Sequence, residues 1–216
     1  MASSNTIYYI VGAIVVIAIV GFVVAGGFAG GSTVAVQLTD PPSVPSGTQH
    51  LFVTYSSVQV HVSSTGSGSV NASNQSGWAT AQGNGTVDLM ALVNTSQTLA
   101  SAHVAANSTV NLVRFSISSI AIVVNNNTYN VTTPNNELTV TVTGDQKINA
   151  GSAAVLIDLF PTVTARGGAG ATTYMLVPAA RAVILNAGTN VTVNTNVGGV
   201  ANVSATARSR LGLNVG

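Results

Sequence analysis

No cysteine occurs anywhere in the chain. Disulfides, thiolate metal sites and a cysteine nucleophile are therefore excluded, and stability must come from packing, sheet hydrogen bonds or assembly with neighbours. Charge is nearly as scarce. Acidic and basic side chains make up 5% of the 216 residues, against about 25% in an ordinary soluble protein. The six Lys and Arg form no cluster and the formal net charge is +1, so the basic patch that nucleic-acid binding requires is missing. Aromatic residues are only 5%, with Trp78 the single tryptophan.

Chemistry-bearing motifs are missing too. There is no Gly-x-Ser-x-Gly elbow, no phosphate loop and no His-Glu-x-x-His. The three histidines, His50, His61 and His103, have no second His or carboxylate at a ligand spacing. The five acids, Asp40, Asp88, Glu137, Asp145 and Asp158, are scattered over separate runs, whereas a glycosidase needs two carboxylates facing one cleft. Asp40 before Pro41 reads as a turn former. Asp158 in VLIDLF and Arg114 in NLVRFSI sit among apolar residues and read as a structural ion pair between strands. The expectation is a protein without catalytic residues, metal or cofactor, and not an enzyme.

In place of charge the chain carries Asn, Ser, Thr and Gly, whose side chains stay neutral at any biological pH. Such a surface hardly titrates, and acid denaturation has few carboxylates to act on. An acidic or otherwise harsh external setting is the expectation. The one long hydrophobic run is IYYIVGAIVVIAIVGFVVA, Ile7 to Ala25, without charge or proline. As a helix it would be about 28 Å long, enough for a bilayer core. It reads as a cleaved signal, a retained anchor or a pilin-type helix, and the three stay open. The small residues from Ala25 to Gly31 suit a signal peptidase, but MASSNT supplies no basic n-region.

After Gly31 the pattern becomes period two. TVAVQLT alternates, then Pro41, Pro42 and Pro45 punctuate. In HLFVTYSSVQVHV, Leu51, Val53 and Tyr55 share one face, and Val58, Val60 and Val62 take over across a Ser-Ser bulge. His61 falls on the polar face. Further β-type runs, rich in Val, Ile and Thr, cover Thr86–Leu92, Thr109–Val124, Glu137–Thr143, Ala153–Thr164, Thr173–Leu185 and Asn190–Thr206. Ser96–Ala106 reads as a short helical or irregular crossover, and Trp78 as part of a turn. Short strands separated by Gly, Asn and Ser clusters predict a sandwich or barrel. The predicted fold is all-β, an Ig-like Greek-key β-sandwich preceded by one hydrophobic helix. Its divisions are a targeting or transmembrane segment 1–31, a β-sandwich 32–187 and a C-terminal β extension 188–216. The extension is thinner in large apolar residues and is expected to pack outside the first core.

Asn-x-Ser/Thr occurs at Asn71, Asn74, Asn84, Asn94, Asn107, Asn126, Asn130, Asn190 and Asn202. Nine is about twice what 20 Asn and 47 Ser and Thr would give by chance. All nine follow the hydrophobic run, where an exported domain meets a glycosyltransferase. N-linked glycans would supply the hydration that charge does not.

The segments STVAVQLTDPP, VTYSSVQVHVSS, GWAT, TVDLMALVN, TVNLVRFSISSIAIVVNN, VLIDLF and YMLVPAARAV follow in that order. The series, spanning Thr33 to Leu185, resembles a widespread exported β-sandwich family of archaea and bacteria, catalogued only as a domain of unknown function. That family implies no catalytic residues. The whole chain also resembles thread-type or pilus-type filament subunits of thermoacidophilic archaea. It shares their hydrophobic leader, Ser/Thr/Asn-rich β domain, sequons and low charge, and it departs from type IV pilins in lacking a basic leader. The resemblance implies a homopolymer in which one subunit donates a strand to the next, through main-chain hydrogen bonds and alternate side chains in pockets. The donor is expected at Thr33, Val34, Ala35, Val36, Gln37, Leu38 and Thr39, with Asn190–Thr206 as the second choice. The leading expectation is thus a structural subunit of an extracellular, N-glycosylated filament. The alternatives are a membrane-anchored surface or virion glycoprotein, a pilin-like subunit with a helical core, and a carbohydrate-binding adhesin.

Overall fold

The computed structural model describes residues 31–39, 42–63, 77–168, 171–188 and 191–213. The hydrophobic run 7–25, and with it the signal, anchor or pilin reading, lies outside these. Among the described residues no helix is long and apolar enough to cross a membrane.

The described residues are all-β, with thirteen strands and one short helix: β1 Gly31–Thr39, β2 Thr48–Ser63, β3 Gly77–Ala81, β4 Gly85–Asp88, β5 Thr95–Ala105, β6 Thr109–Val124, β7 Asn127–Thr132, β8 Glu137–Thr143, β9 Gly151–Leu159, β10 Thr162–Gly168, β11 Ala171–Val177, β12 Ala180–Asn186, β13 Val200–Asn202 and α1 Ala205–Leu211. A single 3-10 turn, Leu89–Ala91, follows β4, capped by the Asp88 carboxylate. The boundaries of β6 and β8 are those the period-two pattern predicts. Thr86–Leu92 passes at Leu89 from strand into the 3-10 turn, and two longer runs are cut by proline, which cannot donate to a ladder. Ala153–Thr164 divides at Pro161 into β9 and β10, and Thr173–Leu185 divides at Pro178 into β11 and β12.

β2 and β6 form the long antiparallel spine. The ladder slips between Tyr55 and Ser57, so the Ser-Ser interruption is an irregularity of the β-bulge kind, as its sequence suggested. The free edge of β2 takes β3 and β4 end to end, and that of β6 takes β7 and β8 in the same way. The β6–β7 connection is a two-residue turn with Asn125 and Asn126 at φ 49° and 63°. Two left-handed residues define a type I′ hairpin, and Asn tolerates that region well.

The other half runs β12–β9–β1–β5–β13. The two halves meet at two corners. Parallel pairing of β12 with β8 over Ala182↔Val142 and Val183↔Thr143 makes one. At the other, Gln82 and Ser101 exchange backbone bonds of 2.7 and 3.0 Å. The main core lies between the halves, with Val34, Val36 and Leu38 of β1, Leu51, Val58 and Val60 of β2, Val113 and Ile122 of β6, and Val155 and Ile157 of β9.

A second, smaller core covers the outer face of β12, β9 and β1. There Ala35, Ala154, Leu156, Val183 and Leu185 meet Val203, Ala207 and Leu211, flanked by Val191, Val193 and Leu213. The C-terminal stretch therefore does pack outside the first core, but it is no β extension. Of its described residues from 191 on, only Val200–Asn202 form a named strand, and the rest are irregular up to the start of α1. Ser204 starts the helix by accepting the Ala207 N–H at 3.2 Å, and Gly212 ends it in the left-handed conformation, φ 67°.

Candidate functional site

The segment 33–39 occupies a central place. Thr33, Val34 and Val36 are β-branched or alternate with small residues, which suits a pleated strand. β1 lies parallel to β9, from Ser32↔Gly151 to Thr39↔Asp158, and antiparallel to β5, from Gly31↔Ala105 to Thr39↔Ser96. From Ala35 to Thr39 every residue is buried. Val34, Val36 and Leu38 face the main core, while Ala35 faces the C-terminal segment. Side chains tie the strand at both ends: Ser32 Oγ donates to the Asn149 carbonyl and Thr39 Oγ1 to that of Thr95, each at 2.8 Å.

Gln37 is the one long polar side chain in this strand and is 6% exposed. Its amide nitrogen donates to Thr98 Oγ1 at 3.2 Å and to the Asn194 carbonyl at 2.9 Å. Thr98 Oγ1 donates to the same carbonyl at 2.8 Å. At this level β5 carries a bulge, since Val36 opposes Ala100 and Gln37 opposes Thr98. The extra residue, Leu99, turns its carbonyl to accept the Tyr55 hydroxyl at 2.9 Å. Ser96–Ala106, expected as a crossover, is thus a strand. Its polar residues misled because Ser96 and Thr98 are buried on the face that the C-terminal segment covers.

Of the nine sequons, Asn71, Asn74 and Asn190 lie outside the described residues. Asn84, Asn94, Asn107, Asn126, Asn130 and Asn202 are all exposed. Asn94, Asn107 and Asn126 also take positive φ, between 58° and 65°, so turn geometry alone accounts for asparagine at these three.

Several charged groups are held by partners. Asp158, 1% exposed, takes the Arg181 Nε at 2.7 Å across the β9–β12 ladder. Arg114 lies instead beside Glu137 at 3.2 Å, so the two interior charges named from sequence belong to separate ion pairs. His50 Nδ1 meets Asp88 Oδ2 at 2.7 Å while the other Asp88 oxygen accepts the N–H groups of Leu51 and Met90. Asp145 accepts the Lys147 N–H. Burial pushes the Tyr55 hydroxyl up to about 12. Among the described residues no group of three His, Asp or Glu is gathered at metal-ligand spacing.

Trp78 is not in a turn but in β3, opposite His61 on the outer face of the spine. The Arg114 guanidinium stacks 4.0 Å from the ring centroid and His61 meets it edge-on. Nearby a shallow polar depression of about 620 Å³ is lined by Ser116, Asn135, Asn136, Glu137 and Thr139.

The described strands define an all-β domain. The chain belongs to the family described as DUF4382, a domain of unknown function, whose model matches residues 31–178. The match opens at β1 and closes after β11. No curated protein and no solved structure matches the chain.

Proposed function

We propose that this protein is a structural subunit of an extracellular filament, N-glycosylated on exposed sequons and assembled by strand donation through residues 33–39. The observation that carries this reading is the seat of β1. The strand that opens the domain fills the middle of a sheet, and both its ladder partners are distant in sequence. A strand so placed can be replaced by the same strand of a second copy with every contact retained, which is the low-cost route of domain swapping. The link between β1 and β2 contains Pro41, Pro42 and Pro45. The finer fold we attach is an Ig-like Greek-key sandwich, supported by the two halves facing across one core. The hydrophobic N-terminal run supports export through, or anchoring in, the cytoplasmic membrane. An adhesin reading draws little from Trp78, which already stacks on Arg114.

The absence of native cysteine makes a clean test. Thr33 and His103 are register partners whose side chains approach to 3.3 Å. Thr33→Cys and His103→Cys, each carried on a separate copy and co-expressed, should give a disulfide-linked dimer in material sheared from cells. Assembled material without that dimer, or a chain that never assembles, would overturn strand donation.

A further inference from the structure

The C-terminal segment is bound to β1 more closely than a terminal appendage requires. Its apolar residues Val203, Ala207 and Leu211 share one core with Ala35 of β1, Ala154 and Leu156 of β9, and Val183 and Leu185 of β12. Its backbone meets the strand's neighbour twice at one residue, with the Thr98 N–H donating to Gly199 and the Gly198 N–H donating to Thr98. Between these contacts the Asn194 carbonyl takes both the Gln37 amide and the Thr98 hydroxyl. Asn194 is itself held in a turn, its Oδ1 accepting the Asn196 N–H at 3.0 Å. Arg210 fastens α1 to the sheet through the Ile184 carbonyl at 3.0 Å.

We infer that residues 191–213 form a clasp that grips the outer face of the 31–39 strand and fixes its register by reading Gln37. In an assembly the same clasp would receive the strand of a second copy. The second-copy half of this inference depends on strand donation; the half that concerns the chain's own strand does not.

The register argument follows from the pleat. Shifting β1 by one residue turns Gln37 into the apolar main core and sets Val36 or Leu38 against the Asn194 carbonyl. A buried amide without a partner is costly. Shifting by two keeps the faces but puts Ala35 or Thr39 at the reading position, and neither has a side chain long enough to replace both Gln37 bonds. The inner face cannot make this distinction, because Val34, Val36 and Leu38 are similar apolar residues two apart. The family match ends at residue 178, so the clasp is built from chain beyond the matched domain.

The test is hydrogen exchange followed by mass spectrometry on the full chain carrying Leu211→Asp. The expected result is at least about tenfold faster exchange across 31–39 while the β2 and β6 amides keep wild-type protection. Unchanged exchange in 31–39 would overturn the clasp. So would equal loss across β2 and β6, which marks the segment as ordinary core. Should Leu211→Asp not fold, Gln37→Leu tests the reading step alone. Combined with Thr33→Cys and Ser101→Cys, a pair two residues out of register, it should form the slipped disulfide about tenfold faster than the same cysteine pair with Gln37 intact. No gain would overturn register reading. If the clasp variant frees 31–39 yet no disulfide forms between copies, the clasp stands and strand donation falls.

Discussion

Tyr55 shows how much one side chain can govern in a molecule with so few ionisable groups. It is 5% exposed, with its hydroxyl donating to the Leu99 carbonyl that the β5 bulge leaves off the ladder. Burial raises its pKa to about 12 from 10.0. The neutral form is the one the fold favours, so the native state holds its proton where the unfolded chain has lost it. The stability so gained is fully present below pH 10 and disappears as pH rises through about 12. Thermal melts across this range should show a steep alkaline loss in the native protein. Tyr55→Phe should start about 1 kcal/mol less stable, from the lost hydrogen bond, and fall less steeply. The ion pair at Asp158 is a residue-scale case where sequence went only part way. VLIDLF marked a buried charge that must be paired, but its partner Arg181 lies in AARAV, and only the β9–β12 register brings the two together.

Among the elements, β5 holds the most information that the sequence pattern concealed. Alternation is legible where one face meets water, as in β2, β6 and β8. β5 is covered on its outer face at Ser96 and Thr98 by residues 194–201, so polar residues sit inside and period two disappears. The C-terminal stretch differs from a β extension for the converse reason, since Val191 and Val193 alternate without pairing in any named strand. β5 also explains Gly83. That residue has φ +151°, and a Cβ there would overlap the Leu99 carbonyl oxygen and Ala100 Cα, both backbone. Neither can yield without opening the corner where Gln82 pairs with Ser101. Gly83→Ala should cost roughly 3 kcal/mol in urea denaturation, with faster amide exchange at Gln82 and Ser101. A loss below about 0.5 kcal/mol would show that the corner adapts.

For the whole molecule, scarcity of charge becomes a property. Stability changes with pH only as far as the folded and unfolded chains bind different numbers of protons, and five carboxylates and three histidines set a low ceiling. The thermal midpoint at pH 3 should lie within about 5 °C of that at pH 7. Calorimetry on the native protein checks this, and a drop beyond about 15 °C would refute it. The order of apolar and turn segments made the all-β class and the outer packing of the C-terminal stretch readable. The seat of the candidate strand was not, because nothing local to STVAVQLT states that its neighbours are β5 and β9.

That distance in sequence also has a meaning in time. A chain is made from its N-terminus, so β1 appears first and its parallel neighbour much later; Ser32 and its partner Asn149 are 117 residues apart. At ordinary rates of synthesis the interval is on the order of ten seconds. Until β9 is made, the earliest strand has only β5 to pair with and lacks its second neighbour. Under the strand donation proposed above, the slot between β9 and β5 is open, when the two come together, to whichever copy of 31–39 is nearest.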